Sequence, residues 1–339
     1  MRDLYNRLSE VGFDKRFLQE VILPEWWEDS LAAFSFNRAI AESTIAGHLG
    51  CKVADLADHK ASLALPSTGG ELFKRQKNSD INKLRPTLQI ARRAASIIKS
   101  SLVNVPDFGG KATAQEIREL ILGKSGVVNL KSLVQFCWGW GIPILRISRL
   151  PNRAGKFAGV AILDSDRPVI VMACGHEAPP WVAHYLAHEI GHIVLGHAPN
   201  EVDVIVDSEL EKAAAEDDLE READKFAFHL LTSKDEGIRF APAQSGEYYG
   251  RQLADAAKRY VDKQNYPIDI GAVCLAYGFS TSEYAVSQVA LKRLGLDTGA
   301  KKIINSQLVV HIDQFKLTES TTRFIESVCE IELTDSHEH

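Results

Sequence analysis

The chain lacks any uninterrupted apolar run of the roughly twenty residues that a bilayer-crossing helix takes. Its longest candidate, V-V-N-L-K-S-L-V-Q-F-C-W-G-W-G-I-P-I-L, is broken by Asn129, Lys131, Gln135 and Pro143. That stretch reads as a helix, a glycine turn and a strand, and no membrane partner is expected. Cysteine is sparse: Cys51, Cys137, Cys174, Cys274 and Cys329 are scattered, odd in number and never spaced C-x-x-C. This argues against a disulfide framework and fits reduced thiols in a cytoplasmic protein, buried as small apolar residues. The opening M-R-D-L-Y-N-R-L-S-E is polar from the outset, so no signal peptide is expected. Charge is not lopsided either: 39 Lys and Arg stand against 45 Asp and Glu, a net −6. That disfavours a wholesale nucleic-acid binder while leaving room for a local basic module. No internal repeat is evident. With 339 residues of ordinary globular composition, the chain is long enough for about two domains and a substantial core.

The informative segment is H-Y-L-A-H-E-I-G-H-I-V-L-G-H, residues 184–197. His188 and His192 are four apart, so on a helix both imidazoles face one ion. Glu189, between them, is within reach of a water at that ion. Two histidines and a carboxylate base form the core of a hydrolytic zinc site. Ala183, Leu186, Ala187, Ile190, Val194 and Leu195 give the segment a broad apolar face, and Pro179 and Pro180 suit its start. The spacing predicts a buried helix. His184, one turn before His188, is expected near a surface-exposed helix start.

A catalytic zinc needs a third protein ligand and an open position. A layout with a third histidine six residues after the second fails, because Ala198 stands there and His197 is one residue out of register. A later helix is the better source. D-L-E-R-E-A-D-K-F-A-F-H-L-L, residues 218–231, carries an apolar stripe of Leu219, Ala223, Phe226, Ala227 and Leu230. Glu220 and Asp224 share one flank of it. Glu220 is taken as the third ligand, and Asp224 as the acceptor for a ligand imidazole N–H. Glu222 competes with Glu220; it lies about 200° round the helix, so both cannot face the ion.

H-E-I-G-H followed by E-R-E-A-D-K-F-A-F-H-L-L resembles the ImmA/IrrE family of metallopeptidases, which pair an HExxH helix with a downstream E-x-x-A-[ND]-x-F-A helix. The upstream G-V-A-I-L, D-S-D-R, P-V-I-V-M order, with Arg167, Pro168 and Ile170, is similar to that family's short hairpin. The resemblance covers roughly residues 125–235. It implies His188, His192 and Glu220 as zinc ligands, Glu189 as catalytic base, and a small zincin-like sheet packed on the motif helix. It further implies a protein substrate of the repressor-like, DNA-binding kind, and a setting in stress responses or mobile elements. The chain departs from the family where the second helix closes on Leu230, Leu231, Thr232 and Ser233 rather than L-L-M-P.

The expected architecture is α+β and mostly helical. Residues 1–105 read as a helical module whose pattern around Gly50 (Ala46, Gly50, Val53, Leu56) has the spacing of a helix-turn-helix. DNA is therefore a conceivable partner of that module, supported by Lys74, Arg75, Lys77, Lys83, Arg85, Arg92, Arg93 and Lys99. The segment L-Q-I-A-R-R-A-A-S-I-I reads more simply as an amphipathic helix with its charges in solvent. Trp26 and Trp27 read as packing residues. Pro106, Gly109 and Gly110 mark a linker over Val103–Lys111. The metallopeptidase domain spans 112–240. A helical region spans 241–339, with a second helix–glycine–helix pattern capped at Ser280 or Thr281 and a polar tail T-D-S-H-E-H. Strand 168–172 is the expected edge strand for an extended substrate. Tyr185, Tyr248 and His229 are the candidates for an additional oxyanion donor. A regulatory protein that binds a repressor, toxin or DNA without proteolysis is the alternative function.

Overall fold

The computed structural model describes residues 1–58, 62, 63, 65, 81–152, 154–163, 167–197, 204–206, 218–240 and 247–333. Helices α1 (Arg2–Glu10), α2 (Lys15–Phe17, continued by a π turn through Ile22), α3 (Ser35–Leu49), α4 (Val53–Ala57) and α5 (Ile81–Ser101) come first. Helices α6 (Ala114–Ser125) and α7 (Leu130–Gly139) lead into strands β1 (Ile144–Arg146), β2 (Gly159–Ile162) and β3 (Val169–Met172). Then follow α8 (Pro179–Leu195), β4 (Val204–Val206) and α9 (Asp218–Thr232). The chain closes with α10 (Glu247–Asp262), α11 (Ile270–Thr281), α12 (Tyr284–Arg293), α13 (Ala300–Val310) and α14 (Glu319–Cys329). The class is α+β, mostly helical, around a small mixed sheet. No helix among the described residues is long and apolar enough to cross a membrane.

Strand order is β1-β3-β2-β4, with β1 parallel to β3 and the other pairs antiparallel. Every residue of β1, β2 and β3 is buried, so helices cover both faces; β2 and β3 are apolar without alternation, and β1 ends on the buried Arg146. β2 and β3 form the hairpin read from the sequence. Strand 168–172, however, is not an edge. β1 takes its free side in parallel register, Ile144 opposite Ile170, a pairing between segments too distant for local pattern to reveal. The edges among the described residues are β1 and β4.

Helix ends follow local chemistry. Thr113 and Glu116 form a reciprocal capping box on α6, and Asn129 and Ser132 do the same on α7. Two other expectations change. Ser280 and Thr281 do not cap α12; α11 runs through both, and their hydroxyls donate to the carbonyls of Ile238 and Tyr277. Gly278 is helical rather than a turn, because α12 lies so close that a Cβ there would meet Ser287 Oγ at 2.8 Å. α5 is the amphipathic helix expected, burying Leu88, Ile90, Ala91, Ala94, Ala95, Ile97 and Ile98, but its Arg92 and Arg93 are half-covered rather than fully in solvent.

One hydrophobic core runs through residues of all three expected segments. His48 of α3 lies 2.9 Å from Ser320 Oγ and stacks on Phe324 of α14. The Val103 N–H donates to the His311 carbonyl, and that of Ser148 to the Val328 carbonyl. The stretch 103–111 is a strap on this body. The Gly109 N–H donates to the Trp140 carbonyl, and Arg167 donates to the carbonyls of Pro106 and Gly141. The turn after α3 is made by Gly50 at φ 66°, but α4 is only five residues long and ends against Arg7, which donates to the Asp55 and Leu56 carbonyls. Trp27 is buried and Trp26 half-exposed. All five cysteines are free. Lys74, Arg75 and Lys77 of the basic group, residues 198–203 and 207–217, and the tail 334–339 lie outside the described residues.

Candidate metal centre

Helix α8 starts on Pro179 and Pro180, which suit the first turn because its N–H groups have no partner within the helix. It ends where Gly196 adopts a left-handed conformation. Every residue from Pro180 to Val194 is buried, the four polar ones included, so α8 is a central helix rather than an amphipathic surface one. Helix α9 packs along it. The closest approach is at Gly191, the fourth residue of H-E-I-G-H. A Cβ there would stand 3.3 Å from the Ala223 Cα and 3.1 Å from the Phe226 ring. Glycine costs about 1 kcal/mol in a helix interior; here it lets the two backbones close and brings the first turn of α9 over the motif.

That approach brings His188, His192 and Glu220 together. One ligand atom from each lies within 4.8 Å of the others. Nε2 of His188 and Nε2 of His192 are 2.9 Å apart. Glu220 Oε2 is 3.2 Å from the first and Oε1 3.6 Å from the second. This buried group could hold a metal ion. Burial pushes His192 down to about 4, against the opposing pull of Glu220, so its imidazole is neutral with a lone pair to give. Burial alone would raise the Glu220 carboxyl, but hydrogen bonds from His188 and His192 outweigh it and hold the group well below the ordinary carboxylate range.

The far nitrogen of each imidazole is also engaged. Nδ1 of His188 is 2.9 Å from Asp224 Oδ1, the role expected of Asp224. That contact outweighs the burial of Asp224 and lowers its pKa. Nδ1 of His192 is 3.0 Å from Nδ1 of His197, whose Nε2 is 3.1 Å from Glu222 Oε2. Glu222 is thus not part of the ligand group but reaches it through His197, a residue that register excluded as a ligand. The legible signal for His197 was Gly196-His197 directly after the helix.

Glu189 is fully buried and faces the sheet. Its carboxyl rests on Gly159 of β2, where a Cβ would come within 2.8 Å of Cγ and 2.9 Å of Oε1. His184 is not at a surface: it is buried between the rings of Phe228 and Phe279, and burial pushes it down to about 4. Of the oxyanion candidates, Tyr185 is buried beside Trp181 and His176, and His229 is held between Asp235 and Gln115. The Tyr248 side chain lies outside the described residues. Comparison with known proteins finds no matching family model, no matching curated protein and no matching solved structure.

Proposed function

We propose that this chain is a zinc-dependent endopeptidase of the ImmA/IrrE kind, acting in the cytoplasm on a repressor-like DNA-binding protein. The observation that carries the reading is the convergence of His188, His192 and Glu220 on the helix that also bears Glu189. Zinc–nitrogen and zinc–oxygen bonds of about 2.0–2.2 Å in a tetrahedron set ligand atoms about 3.3 Å apart. The separations of 2.9, 3.2 and 3.6 Å bracket that spacing. Two neutral imidazoles and one carboxylate are the ligand chemistry of zinc hydrolases, and three protein ligands leave a fourth position for substrate.

When bound, zinc supplies a Lewis acid for the scissile carbonyl and lowers the pKa of water toward neutrality. The chain's own part is proton transfer and positioning. Glu189 accepts the proton of the attacking water at its carboxylate and hands it to the departing amine nitrogen. Gly159 leaves that carboxylate room against β2. The sheet packs on α8 through β2 and β3, which supports a zincin-like reading of this domain. β4, paired to β2 on one side, is a better edge for an extended peptide than β3. Substrate class comes from the resemblance alone. A DNA-reading role for residues 1–105 has less support, since α4 is about 7.5 Å long and its end is occupied by Arg7.

A Glu189→Gln trap tests the proposal. The variant should keep its metal and fold, retain a bound protein partner on pull-down, and turn over at least about 10²-fold more slowly. Mass spectrometry should show that partner cut by the wild type. Full biological activity of Glu189→Gln would instead favour a protein that sequesters its partner without proteolysis.

A further inference from the structure

Helix α8 ends on a stop signal that turns a side chain back toward the metal centre. Gly196 sits at φ 73°, ψ 40°. Its N–H donates to the Ile193 carbonyl at 3.2 Å, and the next N–H, of His197, donates to the His192 carbonyl at 3.0 Å. This is a Schellman cap, which favours glycine at the left-handed position. The reversal ties His197 to His192 twice: by that backbone bond, and by the 3.0 Å contact between their Nδ1 atoms, with ring planes at 73°. His197 and His192 are both buried, and the chain of contacts runs on to Glu222, whose side chain is 60% exposed.

The proton positions follow from the chemistry of the rings. Nε2 of His192 faces Nε2 of His188 and the Glu220 carboxylate. A nitrogen that ligates metal presents its lone pair, so the imidazole proton sits on Nδ1 and must be donated. The acceptor there is Nδ1 of His197. That fixes the proton of His197 on Nε2, where Glu222 accepts it at 3.1 Å. One neutral tautomer for each ring satisfies both contacts.

We propose that His197 and Glu222 are positioning residues that act in series on His192. They fix its tautomer and ring orientation and raise its basicity, so that zinc binds more tightly. His188 receives the same service from Asp224 in one step. Three of the four carboxylates of α9 therefore divide the work: Glu220 as ligand, Asp224 as direct acceptor, Glu222 as the end of a two-step relay. The inference rests on the reading of His188, His192 and Glu220 as a zinc site.

The test is zinc affinity, measured on the full chain by competition with a chromophoric chelator. Glu222→Ala should weaken zinc binding about tenfold, and His197→Leu about ten- to a hundredfold. Glu222→Gln and His197→Gln, which keep an acceptor and a donor–acceptor pair, should recover most of that loss. Because Glu222 reaches solvent, its variants should leave the melting temperature of the metal-free protein unchanged. Because the links act in series, the double variant His197→Leu with Glu222→Ala should bind no worse than His197→Leu alone. Wild-type affinity in Glu222→Ala, or losses that simply add, would overturn the relay. Failure of the underlying reading has a different signature: a wild type that takes up no zinc, or one whose zinc survives replacement of His188 and His192 together.

Discussion

At the residue scale, what distinguishes the candidate site is how little room surrounds the Glu189 carboxylate. Glu189 stands against Gly159, and Gly159→Ala would place a Cβ 2.9 Å from Oε1. The carboxylate must then move while His188, His192 and Glu220 keep their places. Zinc content should stay at the wild-type level, and kcat/KM should fall about tenfold or more, the effect of about 1.4 kcal/mol lost in the transition state. Loss of zinc with unchanged kcat/KM in the protein that remains loaded would contradict this placement. A second residue-scale prediction concerns His48. Its burial, aided by the charge of Arg93, pushes it down to about 4 from the usual 6.5. Between those values the unfolded chain binds a proton that the native state does not. Stability is therefore lost as pH falls from about 6.5 to about 4, by up to roughly 3 kcal/mol from this residue. His184 and His192 share the window, so the comparison that isolates His48 is the variant His48→Gln. Urea midpoints at pH 7 and pH 4.5 should differ less in the variant than in the wild type; equal pH dependence would refute the assignment.

At the element scale, the centre exists because α9 can lie directly on α8. Gly191→Val would force the helices apart at Ala223 and Phe226. Overpacking of that kind costs about 1–3 kcal/mol. It should also lift Glu220 away, so zinc affinity should fall even in molecules that remain folded. Chelator competition at a temperature well below the variant's melting point checks this, and unchanged affinity would show that Glu220 does not depend on the helix contact. The same contact explains what was readable beforehand. The i, i+4 histidines and the Glu220–Asp224 pair are periodic within single helices, so spacing makes them legible, though it left Glu222 as a competitor until the packing of α9 on α8 brought Glu220 to the histidines. The hairpin β2–β3 is local and was likewise legible. The position of β3 inside the sheet was not, because its second partner β1 pairs through a long connection. Nor was the partial covering of Arg92 and Arg93 on α5, which look like a solvated face until neighbours from distant segments pack against them. His197 escaped for another reason: its role depends on the backbone reversal at Gly196, and a count of residues along a continuing helix puts it out of register.

At the scale of the whole molecule, the three expected segments share one core, and the strap 103–111 lies across its surface. Asn104, Pro106, Asp107 and Gly109 are exposed, so limited proteolysis should cut there first. The two pieces should nevertheless elute together under native conditions, held by contacts such as His48 with Ser320 and Phe324, and separate only in denaturant. A fragment of residues 1–105 eluting alone and folded would contradict the shared core. The proposed activity depends on one ion held between α8 and α9, and elemental analysis of the purified chain measures it. The wild type should carry about one zinc per molecule, lost on replacing His188 or His192 and sharply reduced in Glu220→Gln, while Glu222→Gln remains loaded at saturating zinc. A metal-free wild type, or zinc that survives Glu220→Gln and disappears in Glu222→Gln, would contradict it.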